Sequence, residues 1–213
     1  MASAARIIVF DVNETLSDMS PMAQHFAEAG APAHLAKQWF AALLRDGFAL
    51  AATGESASFA EVGVGILAPL LDAAGVAQPG ETARRLVGSL GDLPLHPEVA
   101  DAVRSLRAPG PRLVPPTNES ANVAEKFFTA AGILGEFEKL LSVEDAPNWK
   151  PHPSSYAYAE QACATRPDQM VLVAVHPWDI HGAARAGLRT AWVNRDGGPY
   201  PGHFAAPDVV VPS

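Results

Sequence analysis

Cysteine is nearly missing from this 213-residue chain, and the one copy, Cys163, can form no internal disulfide and has no neighbouring cysteine for a metal knuckle. Cys163 therefore reads as a small buried apolar residue. Cations are also scarce. Lys and Arg number 15 against 23 Asp and Glu, for a formal net charge of −8. A surface of that sign repels nucleic acid and anionic membranes, and neither is expected as a partner. An anionic substrate would need a local pocket of positive charge. No apolar run is long enough to span a bilayer, and the opening stretch MASAARIIVFDV holds too short a run for a signal peptide. The expected compartment is the cytosol. Apolar residues, by contrast, are plentiful. At 48% they exclude wholesale disorder, and the length suffices for one core with a small appended domain.

Residues 6–12, RIIVFDV, form a continuous β-branched and aromatic run, the pattern of a strand buried on both faces of a parallel sheet. From about Pro21 to Leu90 the pattern turns helical, with HFAEAG, HLAKQWFAALLRDGFALAAT and FAEVGVGILAPLLDAAG as successive amphipathic segments and no convincing strand. After LPLHPEV the alternation resumes. RLVPPTN, KLLSVE, MVLVAVH and TAWVNR read as strands, with VADAVRSL, NVAEKFFTAAGI, SYAYAEQACA and DIHGAARAG as the helices between and after them; DVVVPS is a further candidate strand. Alternation of this kind predicts an α/β fold with a doubly wound parallel sheet. Residues 1–16 and 96–213 are expected to form the core, and 17–95 a helical cap inserted after the first strand.

Ligands of such sheets bind beyond the carboxyl ends of the strands. There the chain offers Asp11, Asn13, Glu14 and Thr15 after the first strand, and Thr117 and Asn118 after the second. Lys150 follows the third, and His176, Trp178 and Asp179 follow the fourth. A carboxylate becomes a nucleophile when it is desolvated, oriented and kept ionised by a cation. Lys150 is placed to supply that charge to Asp11, Thr15 and Thr117 to orient carboxylate oxygens, and Asp179 to activate water against an ester. Each has a plainer reading. Asp11 and Asp179 suit helix or turn caps, Lys150 a surface position, Thr117 and Asn118 turn formers, and Trp149 and Trp178 packing. The joint placement at consecutive strand ends carries the argument.

At these residues the chain resembles the haloacid dehalogenase superfamily over nearly its whole length. FDVNETL follows that family's strand ending in Asp-x-x-x-Thr; RLVPPTNES places Thr117 at the hydroxyl position; WKPHPSSY supplies Lys150 and Tyr156; VAVHPWDIHGAARAGL ends the set with Asp179. The last is similar to the L-2-haloacid dehalogenase branch. The resemblance implies a Rossmann-like core with a helical cap, Asp11 as covalent nucleophile and no metal or other cofactor. The implied reaction is hydrolysis of a carbon–halogen bond at the α-carbon of a small carboxylate, through an aspartyl ester.

Against the phosphatase branch, Asn13 stands where a second aspartate acts as acid and base, and His176 where many phosphatases have a carboxylate. Against the dehalogenases, Asn13 and Glu14 replace a tyrosine and a glycine. Phe40 stands where the halide-cradling arginine is expected, with Arg45 the nearest substitute, and Ala174 and His176 replace a serine and an asparagine. The expected substrate-binding set is Asn13, Glu14, Phe40, Asn118, Tyr156, His176 and Trp178. An amine leaving group needs a proton rather than a halide cradle, so opening of an azetidine-2-carboxylate ring, with His176 or Glu14 as proton source, is a second expectation. A Mg²⁺-dependent phosphatase and a non-catalytic binding protein are the remaining alternatives. The apolar excess at Phe40, Leu43, Leu44, Phe48 and Leu50 points to a homodimer through the cap.

Overall fold

The computed structural model describes residues 6–107 and 110–213; the first five residues of the expected core lie outside them. Strand β1 (Ile7–Phe10) comes first. Four helices follow: α1 (Met22–Glu28), α2 (Leu35–Thr53), α3 (Phe59–Ala73) and α4 (Pro79–Gly88). Then come α5 (Val99–Arg107), β2 (Arg112–Val114), β3 (Pro116–Thr117), α6 (Ala121–Ala130), β4 (Leu141–Ser142) and α7 (Pro153–Cys163). The chain closes with β5 (Met170–Ala174), α8 (Pro177–Arg185), β6 (Arg189–Val193) and β7 (Val209–Val211).

The main sheet has the order β2-β1-β5-β6-β7, and every pairing is parallel. β1 is apolar at every position because both its faces are covered. Ile7 and Val9 join one buried cluster with Leu172, Ala174 and Ile180, while Phe10 joins another with Phe128 and Trp39. The sequence RLVPPTN, expected as one strand, is broken at Pro115. Proline has no N–H for a ladder bond, so β2 pairs with β1 while β3 leaves to pair with β4 in a separate two-stranded sheet.

Among the described residues no named strand lies between β1 and β2, as the helical pattern predicts. Helix α3 starts on a capping box: Ser58 Oγ accepts from the Glu61 N–H at 3.2 Å, and the Glu61 carboxylate accepts from the Ser58 N–H at 2.9 Å. α4 is not one of the helices singled out from the pattern. It is short, begins at Pro79, and buries only Thr82, Ala83, Leu86 and Val87, too narrow a stripe to stand out. The chain leaves and rejoins the sheet at one place. Ser17 forms isolated bridges with Asn13 and Leu95, the Asp18 N–H bonds Pro94 O at 2.8 Å, and the His96 N–H bonds Leu16 O at 2.9 Å. The two connections to the helical segment thus lie side by side, next to the carboxyl end of β1.

Candidate active site

Asp11 directly follows β1 and is 4% exposed. Its two oxygens have different partners. Lys150 Nζ donates to Oδ1 at 2.8 Å; the Thr15 hydroxyl donates to Oδ2 at 2.6 Å, and His176 Nδ1 lies 3.1 Å from the same oxygen. Thr15 is itself fixed, because its Oγ1 accepts from the Val175 N–H at 3.1 Å and its carbonyl accepts from Arg195 at 2.8 Å. Burial works to raise the Asp11 pKa, but the Lys150 charge and the hydrogen bond and charge of His176 outweigh it and hold the carboxyl well below the usual carboxylate range. Asp11 is therefore ionised at neutral pH.

Lys150 is 1% exposed and sits between two carboxylates, donating also to Asp179 Oδ2 at 2.6 Å. Burial lowers its pKa, and the charges of Asp11 and Asp179 more than restore it. Asn118 clasps the loop that delivers this lysine: its side chain accepts from the Lys150 N–H at 2.9 Å and donates to the Lys150 carbonyl at 3.2 Å. Asp179 lies in the first turn of α8, fully buried, and its Oδ1 accepts from the Tyr156 hydroxyl at 2.6 Å. Burial, with the Asp11 charge, raises the Asp179 pKa against the pull of Lys150, and burial beside Asp179 pushes the Tyr156 phenol far above its ordinary value. Gly182 admits the tyrosine: a Cβ there would lie 2.5 Å from Tyr156 Oη and 2.6 Å from Pro151 Cβ.

His176 bridges Asp11 and Glu14, with Nε2 2.9 Å from Glu14 Oε2. Burial lowers its pKa, yet hydrogen bonds to Asp11 and Glu14 outweigh that and lift it to about 9, so both ring nitrogens donate at neutral pH. Glu14 occupies the left-handed region at φ 60°, an uncommon conformation for a residue with a Cβ, and its carbonyl meets His96 Nε2 at 3.1 Å. Phe40 from α2 and Trp178 from α8 flank the imidazole at centroid distances of 6.4 and 4.9 Å, and Phe48 packs on Trp178 at 4.9 Å.

Thr117 is buried, and its Oγ1 accepts from the Glu119 N–H at 3.0 Å, the local turn bond of a strand end. Asn13 is buried and hydrogen-bonds the Glu119 side chain. Glu119 was not among the residues expected at the site. It is 5% exposed, and burial, with Glu144 nearby, pushes its carboxyl up to about 8 against the Asn13 hydrogen bond. Its only signal in the sequence is an acidic residue directly after the Thr-Asn strand end. Arg45 stays on the surface, paired with Asp46 at 2.7 Å. Trp149 does more than fill space: it stacks on Phe59 at 5.7 Å, donates to Ala57 O at 2.9 Å, and lies against Gly47. Among the described residues no three His, Cys, Asp or Glu side chains gather in a way that would hold a metal ion. The space between the two aspartates is taken by a cation of the protein itself, the Lys150 ammonium.

The haloacid dehalogenase-like hydrolase family model matches residues 5–187, most of the chain. The chain belongs to the haloacid dehalogenase-like hydrolases. It is similar to (S)-2-haloacid dehalogenase H-109 of Pseudomonas putida, 30% identical over 192 residues, covering 89% of this chain and 86% of that one. Haloacetate dehalogenase H-2 of Moraxella sp. (strain B) is 36% identical over 131 residues, a match spanning 62% of this chain and 58% of that protein. The structure of L-2-haloacid dehalogenase from Xanthobacter autotrophicus with chloropropionic acid covalently bound superposes with a TM-score of 0.88 at 24% identity, covering 98% of this chain and 95% of that one. At that identity the likeness shows the fold alone. No helix among the described residues is long and apolar enough to cross a membrane.

Proposed function

We propose that this hydrolase cleaves the carbon–halogen bond of a small 2-haloacid without a metal, by attack of Asp11 on the α-carbon and hydrolysis of the resulting ester. The observation that carries the reading is the state of Asp11. It is a buried, ionised carboxylate at a strand end, with Lys150 on one oxygen and Thr15 and His176 on the other. Lys150 fills the role that a divalent ion plays between carboxylates and balances the negative charge that would repel a substrate carboxylate. The names of the relatives, 2-haloacid and haloacetate dehalogenases, supply the substrate class.

The segment from 17 to 95 is proposed as a cap over this site. Its support is the pair of adjacent connections at Ser17 and Leu95 and the delivery of Phe40 and Phe48 from α2 to the rings of His176 and Trp178. Of the apolar residues that point to a homodimer, Phe40 and Leu43 are buried within the chain; the surface left for such a contact is a groove of about 550 Å³ between α2 and α3, lined by Leu50, Val62 and Ile66 with Asp46 and Thr53. Sedimentation at micromolar concentration tests the homodimer, and a monomer refutes it.

One observation favours a second reading. Beside Asp11 stand a protonated imidazole and its carboxylate partner, His176 and Glu14. That pair suits a leaving group that needs a proton, such as the amine of a strained ring. Incubation with 2-chloropropionate, azetidine-2-carboxylate and p-nitrophenyl phosphate, each with and without EDTA, separates the readings. Halide release insensitive to EDTA is expected; phosphate release lost on chelation would overturn the assignment.

A further inference from the structure

We propose that His176, oriented by Glu14, accepts the proton of the water that hydrolyses the aspartyl ester, and that formation of the ester switches His176 into that role. The inference rests on the Asp11 ester proposed above. His176 Nδ1 lies 3.1 Å from Asp11 Oδ2, so one bound water brings it to the ester carbon. Nε2 lies 2.9 Å from Glu14 Oε2. That contact keeps the remaining hydrogen of a neutral ring on Nε2 and leaves the Nδ1 lone pair facing Asp11. Asp179 has no comparable opening. Lys150 occupies its Oδ2 and Tyr156 its Oδ1, both at 2.6 Å, and it is fully buried. Its geometry is that of a group that positions Lys150.

The charged groups facing the imidazole are Asp11 beyond β1 and Glu14 in the loop that follows, with Lys150 on the far oxygen of Asp11. Phe40 of α2 and Trp178 of α8 cover the ring with aromatic surface. In the resting site the anion on Asp11 holds a second proton on His176. When Asp11 attacks, a new O–C bond forms, halide leaves with its electron pair, and the carboxylate charge disappears. His176 loses the anion that held its proton and releases that proton to solvent. The proton lost is the one on Nδ1, which faced the Asp11 anion, while the Nε2 hydrogen stays hydrogen-bonded to Glu14 Oε2. Water then attacks the ester carbonyl carbon while Nδ1 takes its proton. The acyl C–O bond breaks, the departing hydroxy acid takes the proton from His176, and the Asp11 carboxylic acid returns its own proton to the ring. One haloacid and one water give one hydroxy acid, one halide and one proton, and the proton leaves with the halide rather than with the hydroxy acid. The elevated His176 pKa, with Asp11 first among the partners that raise it, supports this order of events.

The experiment is a rapid-mixing study with 2-chloropropionate, read by intact mass, halide release and a pH indicator. In the wild type a burst of protons should accompany the first halide. His176→Gln should form the Asp11 adduct within a few-fold of the wild-type rate. It should hydrolyse the adduct about 10²–10⁴-fold more slowly, the usual loss on removing a general base, and the proton burst should vanish. Glu14→Gln tests the positioning role. Hydrolysis continues more slowly, and the pH midpoint of adduct decay moves to lower pH, because an anion that held the His176 proton is gone. Adduct decay at the wild-type rate in His176→Gln, or an unmoved midpoint in Glu14→Gln, overturns the proposal. Halide release with no adduct on any variant shows instead that the aspartyl-ester reading has failed, and the base assignment falls with it.

Discussion

The sheet and the inserted helices bury different kinds of side chain. Between residues 20 and 95, Thr82 is the one buried polar residue among those described, while the rest of the chain buries Asp11, Thr15, Asn118, Glu119, Lys150, His176 and Asp179. The helical segment instead buries Phe26, Trp39, Phe40, Leu43, Phe59, Leu67 and Leu71. The difference teaches a division of labour. Charges that must be held at fixed distances lie beyond the carboxyl ends of strands: Asp11 directly after β1, Lys150 on a loop clasped by Asn118, and Asp179 in the first turn of α8. The helices contribute apolar walls and shape, and their chemistry is limited to closing aromatic rings over His176.

The comparison breaks most visibly if charge in the sheet proves dispensable. Asp11→Asn should leave a folded protein with turnover reduced by about 10⁴-fold or more, since the amide is neither anionic nor nucleophilic; steady-state halide release measures it. Lys150→Met should cost on the order of 3–5 kcal/mol of stability by urea unfolding, because it strips the ammonium from two buried carboxylates and leaves Asp179 with the Tyr156 hydroxyl but no cation. The pH dependence follows in size. The His176 pKa is raised from 6.5 to about 9, so its contribution, on the order of 3 kcal/mol, is full below about pH 6.5 and is lost as pH rises through about 9. His176→Gln should flatten that alkaline limb in thermal unfolding. Asp11, shifted the other way, contributes above the ordinary carboxylate range and loses its contribution on acidification.

Two smaller effects probe the helices. At Gly47 an added Cβ would lie 2.3 Å from the Trp149 indole. Trp149 is 1% exposed and adjoins Lys150. Gly47→Ala should therefore cost about 1–3 kcal/mol as an overpacked contact and lower kcat by displacing the lysine loop. Phe40→Ala should spare stability more than Leu67→Ala and lower kcat/KM by about tenfold, the scale of one lost apolar contact at a pocket wall. If Phe40→Ala matched Asp11→Asn, the division between charge and shape would be wrong.

Much of this is legible in the sequence itself. β1 could be read because a strand buried on both faces is uninterrupted by polar residues, and Asp11, the first acidic residue after that run, stands at its end. Lys150 and Asp179 could be placed because both follow short segments in a regular βα alternation. Other features escaped for local reasons. The break at Pro115 depends on which neighbour each half pairs with, a long-range matter hidden in a short apolar run. Glu119 looks like any turn carboxylate, and its burial beside Asn13 and Glu144 depends on contacts distant in sequence. The pairing of His176 with Asp11 and Glu14 escapes the sequence, because both carboxylates lie more than 160 positions away. Tyr156, expected against substrate, turns its hydroxyl to Asp179 instead.

The most direct test of the account is a single turnover in H₂¹⁸O with enzyme in excess over 2-chloropropionate. If Asp11 attacks carbon, the oxygen in the first 2-hydroxy acid comes from the Asp11 carboxylate, so the product is unlabelled and the label appears in the enzyme, confined to the peptide that contains Asp11. If the first product carries ¹⁸O and the peptide does not, water attacks the substrate directly, Asp11 is a base rather than a nucleophile, and the covalent mechanism is wrong.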